Sequence, residues 1–495
     1  MPGQMASRRA GVLLHPTSLP SEGYTGDFGP EARRFVDTLA LAGLSVWQVL
    51  PIGPAHEDGC PYQSSSVHAG NSDLINLDWL VAHELLDAAQ ARAGRQSPAA
   101  KREALDHASV VFFERLFNAE TSALVSAYSK FTQQTEFWLE DYVRFQAFRD
   151  AEQRRPWTSW PEGLRNHDTD ACIDRARGLA PQLSKLRFRQ FVFHQQWMEL
   201  KTYANEHGVK LFGDMPIYVH QESADVWANQ AQFNLDEYGQ PITVTGVPPD
   251  YFSAEGQLWG NPQYDWQYML DSGFDWWLKR FESAARMFDM VRIDHFRALE
   301  AFWEIPAGAE SAMQGHWVHT PGRQLLSLVC SQFPRLHLVA ENLGIISPEV
   351  EHLRHEFSLP GMLIMQFAFD GNPDNPYLTH RHSQNDIVYS GTHDNDTALG
   401  WFLGLDDHTR QNVCDYFRCQ PEDMPWAVIT AVMASPANTA IVPWQDFLGL
   451  DSRHRMNTPG TTEGNWQWRF SWEQVPADLT RRARDLVSSS DRLPG

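Results

Sequence analysis

The sequence predicts an α/β protein built as a (β/α)₈ TIM barrel with large insertions after the second and third strands. Short apolar runs recur at 11–15, 45–51, 210–216, 290–295, 337–341, 362–369, 386–391 and 439–445, near-continuously hydrophobic as parallel strands covered on both faces are. The segments between them carry helical period. Ionisable residues gather at the C-terminal ends of the runs, where barrel enzymes place their chemistry.

The first run ends on His15, and Ala32, Phe35, Val36 and Leu39 then mark one face of a helix that Gly43 stops. After the second run the next begins only at 210, far beyond an ordinary connection, so the gap must hold a subdomain. Most of it reads as helix, closing with Phe193, Trp197, Leu200 and Ala204 before Gly208. The third run carries Asp214. Behind it comes an aromatic insertion with GVPPDYFSAEGQLWGNPQYDW at its heart, too apolar to be a linker. In the second half, Ser347-Pro348 reads as N-cap and first residue of a helix bearing Val350, Leu353 and Phe357. The tail at 457–472 returns to Trp, Asn and Gly and is expected at the mouth of the site. The organisation is therefore 1–54, barrel strands one and two; 55–207, a mostly helical insertion; 208–218, strand three; 219–277, the aromatic insertion; and 278–495, strands four to eight with the tail. A doubly wound open sheet is the alternative, but no GxGxxG follows an early strand.

The chain has 495 residues, is 42% hydrophobic and carries a formal charge of −22. That acidity argues against a nucleic-acid or anionic-membrane surface, which needs clustered Lys and Arg. Five cysteines without metal-type spacing suit a reducing compartment, and no signal-type or membrane-length apolar segment occurs, so a cytoplasmic protein is expected. Nineteen tryptophans exceed what a core needs and suit sugar faces.

The densest chemistry lies at 289–297, DMVRIDHFR. In a strand Arg292 and Asp294 share one face, and an arginine beside a carboxylate favours its ionised form, as a nucleophile or an electrostatic stabiliser requires. A structural Arg–Asp pair fits this stretch equally well. The other strand ends decide, because His15, Asp214, Glu341 and the His393-Asp394 pair stand at them too. No phosphate cradle, HExxH or serine elbow accompanies these groups. A metal held by Asp294, Glu341 and Asp394 is a lesser reading, since Arg292 and the imidazoles compete with it. Paired-carboxylate chemistry on a glycosidic bond remains.

The chain resembles the amylomaltases, the 4-α-glucanotransferases or disproportionating enzymes of glycoside hydrolase family 77, relatives of the α-amylases. The motifs are LLHPTSLPS at 13–21, WQVLPIGP at 47–54, PYQSSS at 61–66, GDMPIYV at 213–219, GVPPDYFS through NPQYDW at 246–266, RIDHFR at 292–297, AENLG at 340–344, SGTHDND at 390–396 and MNTPGT at 456–461. The resemblance implies that Asp294 is the nucleophile, Glu341 the general acid/base and Asp394 the third carboxylate, which binds sugar hydroxyls. It implies that Arg292 and His393 hold the nucleophile and the sugar before the scissile bond, that Tyr62 is the aromatic platform there, and that Asp214 is a further active-site carboxylate. Tyr251 and Phe252 fall in a loop thought to shape the acceptor side. Gln257, Trp259, His295 and Asn465 complete the expected substrate contacts, with Trp466 a further aromatic candidate. Three positions depart from the family pattern: Asn342 for the Asp usually following the acid/base, Cys60 for a Ser before PYQ, and Ala298 for a Gly. Asn342 should face away from Glu341 in the strand, so tuning rather than loss is expected.

The implied reaction is retaining transfer of α-1,4-glucan segments, from maltooligosaccharides or longer glucans to the 4-hydroxyl of a glucan or glucose. It needs no cofactor and no metal. Retention needs the nucleophile and the acid/base about 5–5.5 Å apart. A retaining α-glucan hydrolase with the same carboxylates is the alternative enzyme, and a non-catalytic glucan-binding protein the alternative outside enzymes; the latter would need only the aromatics.

Overall fold

The computed structural model describes residues 7–118, 122–249 and 255–494. Among them the strands, in chain order, are β1 Arg9–Leu13, β2 Val46–Gln48, β3 Lys210–Met215, β4 Thr243–Val247, β5 Gln257–Pro262, β6 Met290–Ile293, β7 Ala301–Pro306, β8 His316–His319, β9 His337–Ala340, β10 Gly361–Ile364, β11 Asp386–Tyr389 and β12 Thr439–Pro443. Eight form one parallel sheet in the order β10-β11-β12-β1-β2-β3-β6-β9. Its two ends meet where the Ala340 N–H donates to Pro360 O at 2.9 Å, and the ring is a (β/α)₈ barrel.

Each barrel strand shows why its sequence is apolar throughout. Residues of one parity, including Leu13, Val46, Phe212, Met290, Val339, Met362, Ile387 and Ile441, fill the barrel interior. Those of the other parity, including Val12, Trp47, Leu211, Val291, Leu338, Val388 and Ala440, pack under the helices. Both faces are dry, so neither tolerates polar alternation. Gly11 sits where three strands crowd: a Cβ there would lie 2.6 Å from both Ile441 and Val46.

The stretch between β2 and β3 is helical, from Leu77–Ala82 to Ala180–Glu206. That last helix faces two ways. Phe188 and Phe191 join the insertion's core with Phe112, while Trp197 packs on Phe28 and Phe288 beside the barrel. Gly43 and Gly208 end their helices at φ 74° and 76°, the left-handed conformation glycine adopts without cost.

The aromatic insertion supplies β4 and β5, and these pair into an antiparallel sheet of order β5-β4-β7-β8. β7 and β8 come from a third excursion, after β6, inside the stretch 278–495. Thr243–Gly246 pairs with Trp303–Pro306, so the loops after strands three and four are laced together above the barrel. Among the described residues no helix is long and apolar enough to cross a membrane.

Candidate active site

The parity that fills the barrel also builds the site. Phe212, Met290 and Val339 point inward, so Asp214, Arg292 and Glu341, two residues further up, point inward at the C-terminal end, with Asp294 beyond them. Asp214 and Arg292 are direct partners across β3 and β6.

Arg292 bridges two carboxylates. Its Nη1 lies 2.8 Å from both oxygens of Asp214, and its Nη2 lies 2.8 Å from Oδ1 of Asp294. Tyr62 adds a hydroxyl, donating to Asp214 Oδ2 at 2.7 Å. Burial pushes the Asp214 carboxyl up, with Arg292 pulling the other way. Asp294 is the more open of the two carboxylates, its side chain 27% exposed against 1% for Asp214.

Glu341 is held differently. Oε1 accepts the Leu343 N–H and Oε2 the His295 N–H, both at 2.7 Å. His295 reaches that position through a left-handed backbone at φ 50°. Burial pushes the Glu341 carboxyl up to about 7; Arg292 opposes the shift, Asp294 adds to it, and the two backbone N–H bonds oppose it. Asp294 and Glu341 thus sit in unlike surroundings, one against a guanidinium and partly open, the other desolvated.

Asp394 stands at the third corner, half-exposed. Its Oδ1 accepts from Asn457 Nδ2 at 2.6 Å, its Oδ2 lies 3.4 Å from His393 Nε2, and its carbonyl accepts from Arg455 Nη2 at 2.8 Å. Asn457, at the start of the tail, and Arg455 just before it thus contact Asp394. Tyr62 stacks on His393, with ring centroids 5.1 Å apart at 13°, and Trp466 lies 6.1 Å from each. His15 is buried beside His393, and burial drives its imidazole down to about 3.

On the other side of Asp294 the His295 ring meets Trp259 edge-on at 4.9 Å, with Tyr218 6.0 Å from Trp259. Burial lowers His295 to about 4, so it is neutral at neutral pH, and its Nε2 has no protein partner among the described residues. Gln257 accepts from Trp259 Nε1 at 3.1 Å. Tyr251 and Phe252 lie outside the described residues. Asn465 turns inward on its own loop, accepting from Thr458 N–H and donating to Thr461.

Sequence reasoning passed over Tyr218, Arg455 and Asn457. Tyr218 and Asn457 lie inside quoted motifs, GDMPIYV and MNTPGT, but nothing local marks which residue of such a stretch faces the site. No cluster of three donor side chains among the described residues has metal-holding geometry.

Comparison with known proteins agrees across the chain. Residues 14–475 match the glycoside hydrolase 77 model, described as 4-alpha-glucanotransferase. The 4-alpha-glucanotransferase of Thermus thermophilus is 42% identical over 98% of this chain and 99% of its own length. The chloroplastic/amyloplastic 4-alpha-glucanotransferase of Solanum tuberosum is 40% identical over 98% and 87%. Among solved structures, amylomaltase from Streptococcus agalactiae in complex with acarbose superposes with a TM-score of 0.93 at 34% identity, covering 98% of this chain and all of that one.

Proposed function

This chain belongs to glycoside hydrolase family 77, the 4-α-glucanotransferases, and we propose that it moves α-1,4-glucan segments between maltooligosaccharides by double displacement through a covalent glycosyl-aspartate. The contrast between the two central carboxylates carries this reading. Asp294, beside the Arg292 guanidinium, supplies an anionic oxygen, while Glu341, held near 7, can give a proton and take it back.

In the first step Asp294 attacks C1 of the donor glucose and the C1–O bond breaks. The leaving 4-oxygen takes the Glu341 proton and departs with the reducing-end fragment. In the second step an acceptor 4-hydroxyl loses its proton to Glu341 and attacks C1, expelling Asp294, so two inversions restore the α configuration. Asp394, oriented by Asn457, binds hydroxyls of the reacting ring, and the Tyr62–His393 stack presents an aromatic face beside it. Trp259 and the Nε2 of neutral His295, unpartnered among the described residues, suit the acceptor. Transfer rather than hydrolysis follows if these groups hold a sugar where water would otherwise enter.

Incubation with maltotriose tests the reaction class. Released glucose with a ladder of longer maltooligosaccharides, at constant total reducing ends, is expected; rising reducing ends would make the enzyme a hydrolase. A second expectation concerns pH. The free enzyme needs Glu341 protonated to expel the leaving group, so kcat/KM should fall as pH rises through about 7. A donor with a fluoride leaving group should show a weaker alkaline limb, and identical limbs for both donors would remove Glu341 from that role.

A further inference from the structure

The loop that carries His393 and Asp394 runs from Ser390, just past β11, to Ala398, the first residue of the helix Ala398–Gly404. One side chain holds both of its ends. Asp446, in the short helix Trp444–Phe447 that follows β12, accepts the Ser390 hydroxyl on Oδ2 at 2.6 Å and the Ala398 N–H on Oδ1 at 2.7 Å. Asp446 and Ser390 are both fully buried, and burial pushes the Asp446 carboxyl up to about 6. The two hydrogen bonds oppose that shift and Asp396 adds to it; among the described residues no Lys, Arg or His forms an ion pair with Asp446.

A buried acid without a cation is costly unless its hydrogen bonds replace the lost hydration. Capping does not account for it, because Thr397 already caps that helix, its hydroxyl accepting the Gly400 N–H at 3.0 Å. Within the loop, Asn395 Oδ1 accepts both the N–H and the hydroxyl of Thr392 at 2.8 Å, so the peptide bearing His393 and Asp394 is pinned onto itself. Gln366 Nε2 holds one further point, donating to Asp396 O at 2.8 Å. The grip at the two ends then sets this unit relative to the barrel. We infer that Asp446 is a positioning residue for the reaction, bridging Ser390 and Ala398 so that Asp394 stands where it meets the reacting ring. The inference rests on the reading of Asp394 as a carboxylate that binds that ring.

Asp446→Ala removes both bonds, and maltotriose turnover should fall about 100-fold, the scale on which a small misplacement acts. Asp446→Asn is the conservative control. Its Oδ1 still accepts the Ala398 N–H and its NH₂ donates to a Ser390 hydroxyl turned to accept, so turnover should stay within about threefold of wild type. The deciding measurement is a double-mutant cycle with Asp394→Ala, read as kcat/KM for an α-glucosyl fluoride with maltose as acceptor, a donor whose leaving group keeps slow variants measurable. If Asp446 acts through Asp394, the loss caused by D446A should shrink from about 100-fold to less than about fivefold once Asp394 is gone. The drop in melting temperature caused by D446A should be the same in both backgrounds, since Asp394 takes no part in the bridge.

Equal loss of turnover in the two backgrounds, unchanged turnover in folded D446A, or D446N as impaired as D446A would overturn the inference. Should D446A not fold, S390A removes one of the two bonds and should cost about tenfold, and in the same cycle an equal loss in both backgrounds, or no loss at all, overturns it. D394A alone separates the two readings. If D394A turns over within about tenfold of wild type, the assignment of Asp394 has failed; if D394A is slow and the losses multiply, only the positioning role of Asp446 has.

Discussion

Asp294→Asn is expected to lower maltotriose disproportionation by about 10⁴–10⁶-fold, the range seen when a covalent nucleophile is removed. The amide has the shape of the carboxylate but forms no stable bond to C1, so the first displacement loses its acceptor while the acceptor-side groups are untouched. The fold should survive, because Arg292 keeps both Nη1 contacts to Asp214 and that pair is the more buried one. Melting temperature and maltooligosaccharide affinity should therefore stay close to wild type. One electrostatic consequence is specific to this site. Asp294 is among the groups that raise Glu341, so its neutralisation should bring the Glu341 carboxyl down from about 7, measurable as a shifted titration in a carboxyl-sensitive spectrum. Turnover within about tenfold of wild type would rule out a covalent role for Asp294.

Removal of Glu341 should cost about 10²–10⁴-fold on maltotriose, a general acid/base contribution. The structure bears on the choice of variant. Both oxygens of Glu341 accept backbone N–H groups, from His295 and Leu343. In Glu341→Gln the new NH₂ must face one of those donors, leaving two donors opposed and the loop displaced. Glu341→Ala avoids that conflict and opens space beside C1. With an α-glucosyl fluoride, E341A should load Asp294 and then stall, because the acceptor hydroxyl has lost its base. Added azide, which needs no base, should restore turnover and give the α-glucosyl azide through two inversions. Absence of rescue, or a β product, would contradict the proposed roles.

Much of the frame was legible without coordinates. The eight barrel strands overlap the eight apolar runs, and the ends of those runs carry Asp214, Asp294 and Glu341. Both follow from a local rule, since side chains alternate along a strand and a residue's facing is settled by its near neighbours in sequence. The insertions were legible from spacing alone, because a barrel cannot be closed across so long a gap without a subdomain.

What the sequence did not contain was the choice of partners. Arg292 could be placed on the face of Asp294, but its double contact to Asp214 crosses 78 residues, and the Tyr62 hydroxyl meets that same carboxylate across 152. Asn457 reaches Asp394 from the tail, β4 finds β7 across the barrel mouth, and Asn342 spans a seam whose other edge is β10. Nor could residue type distinguish the acids. Asp294 and Glu341 are both carboxylates at strand ends, and it is desolvation, a property of everything packed around a group, that lifts Glu341 to about 7. Periodicity along the chain determined which way each side chain points; only the packed barrel decided what stands there to meet it, because hydrogen bonding and burial depend on distances in space that no local pattern encodes.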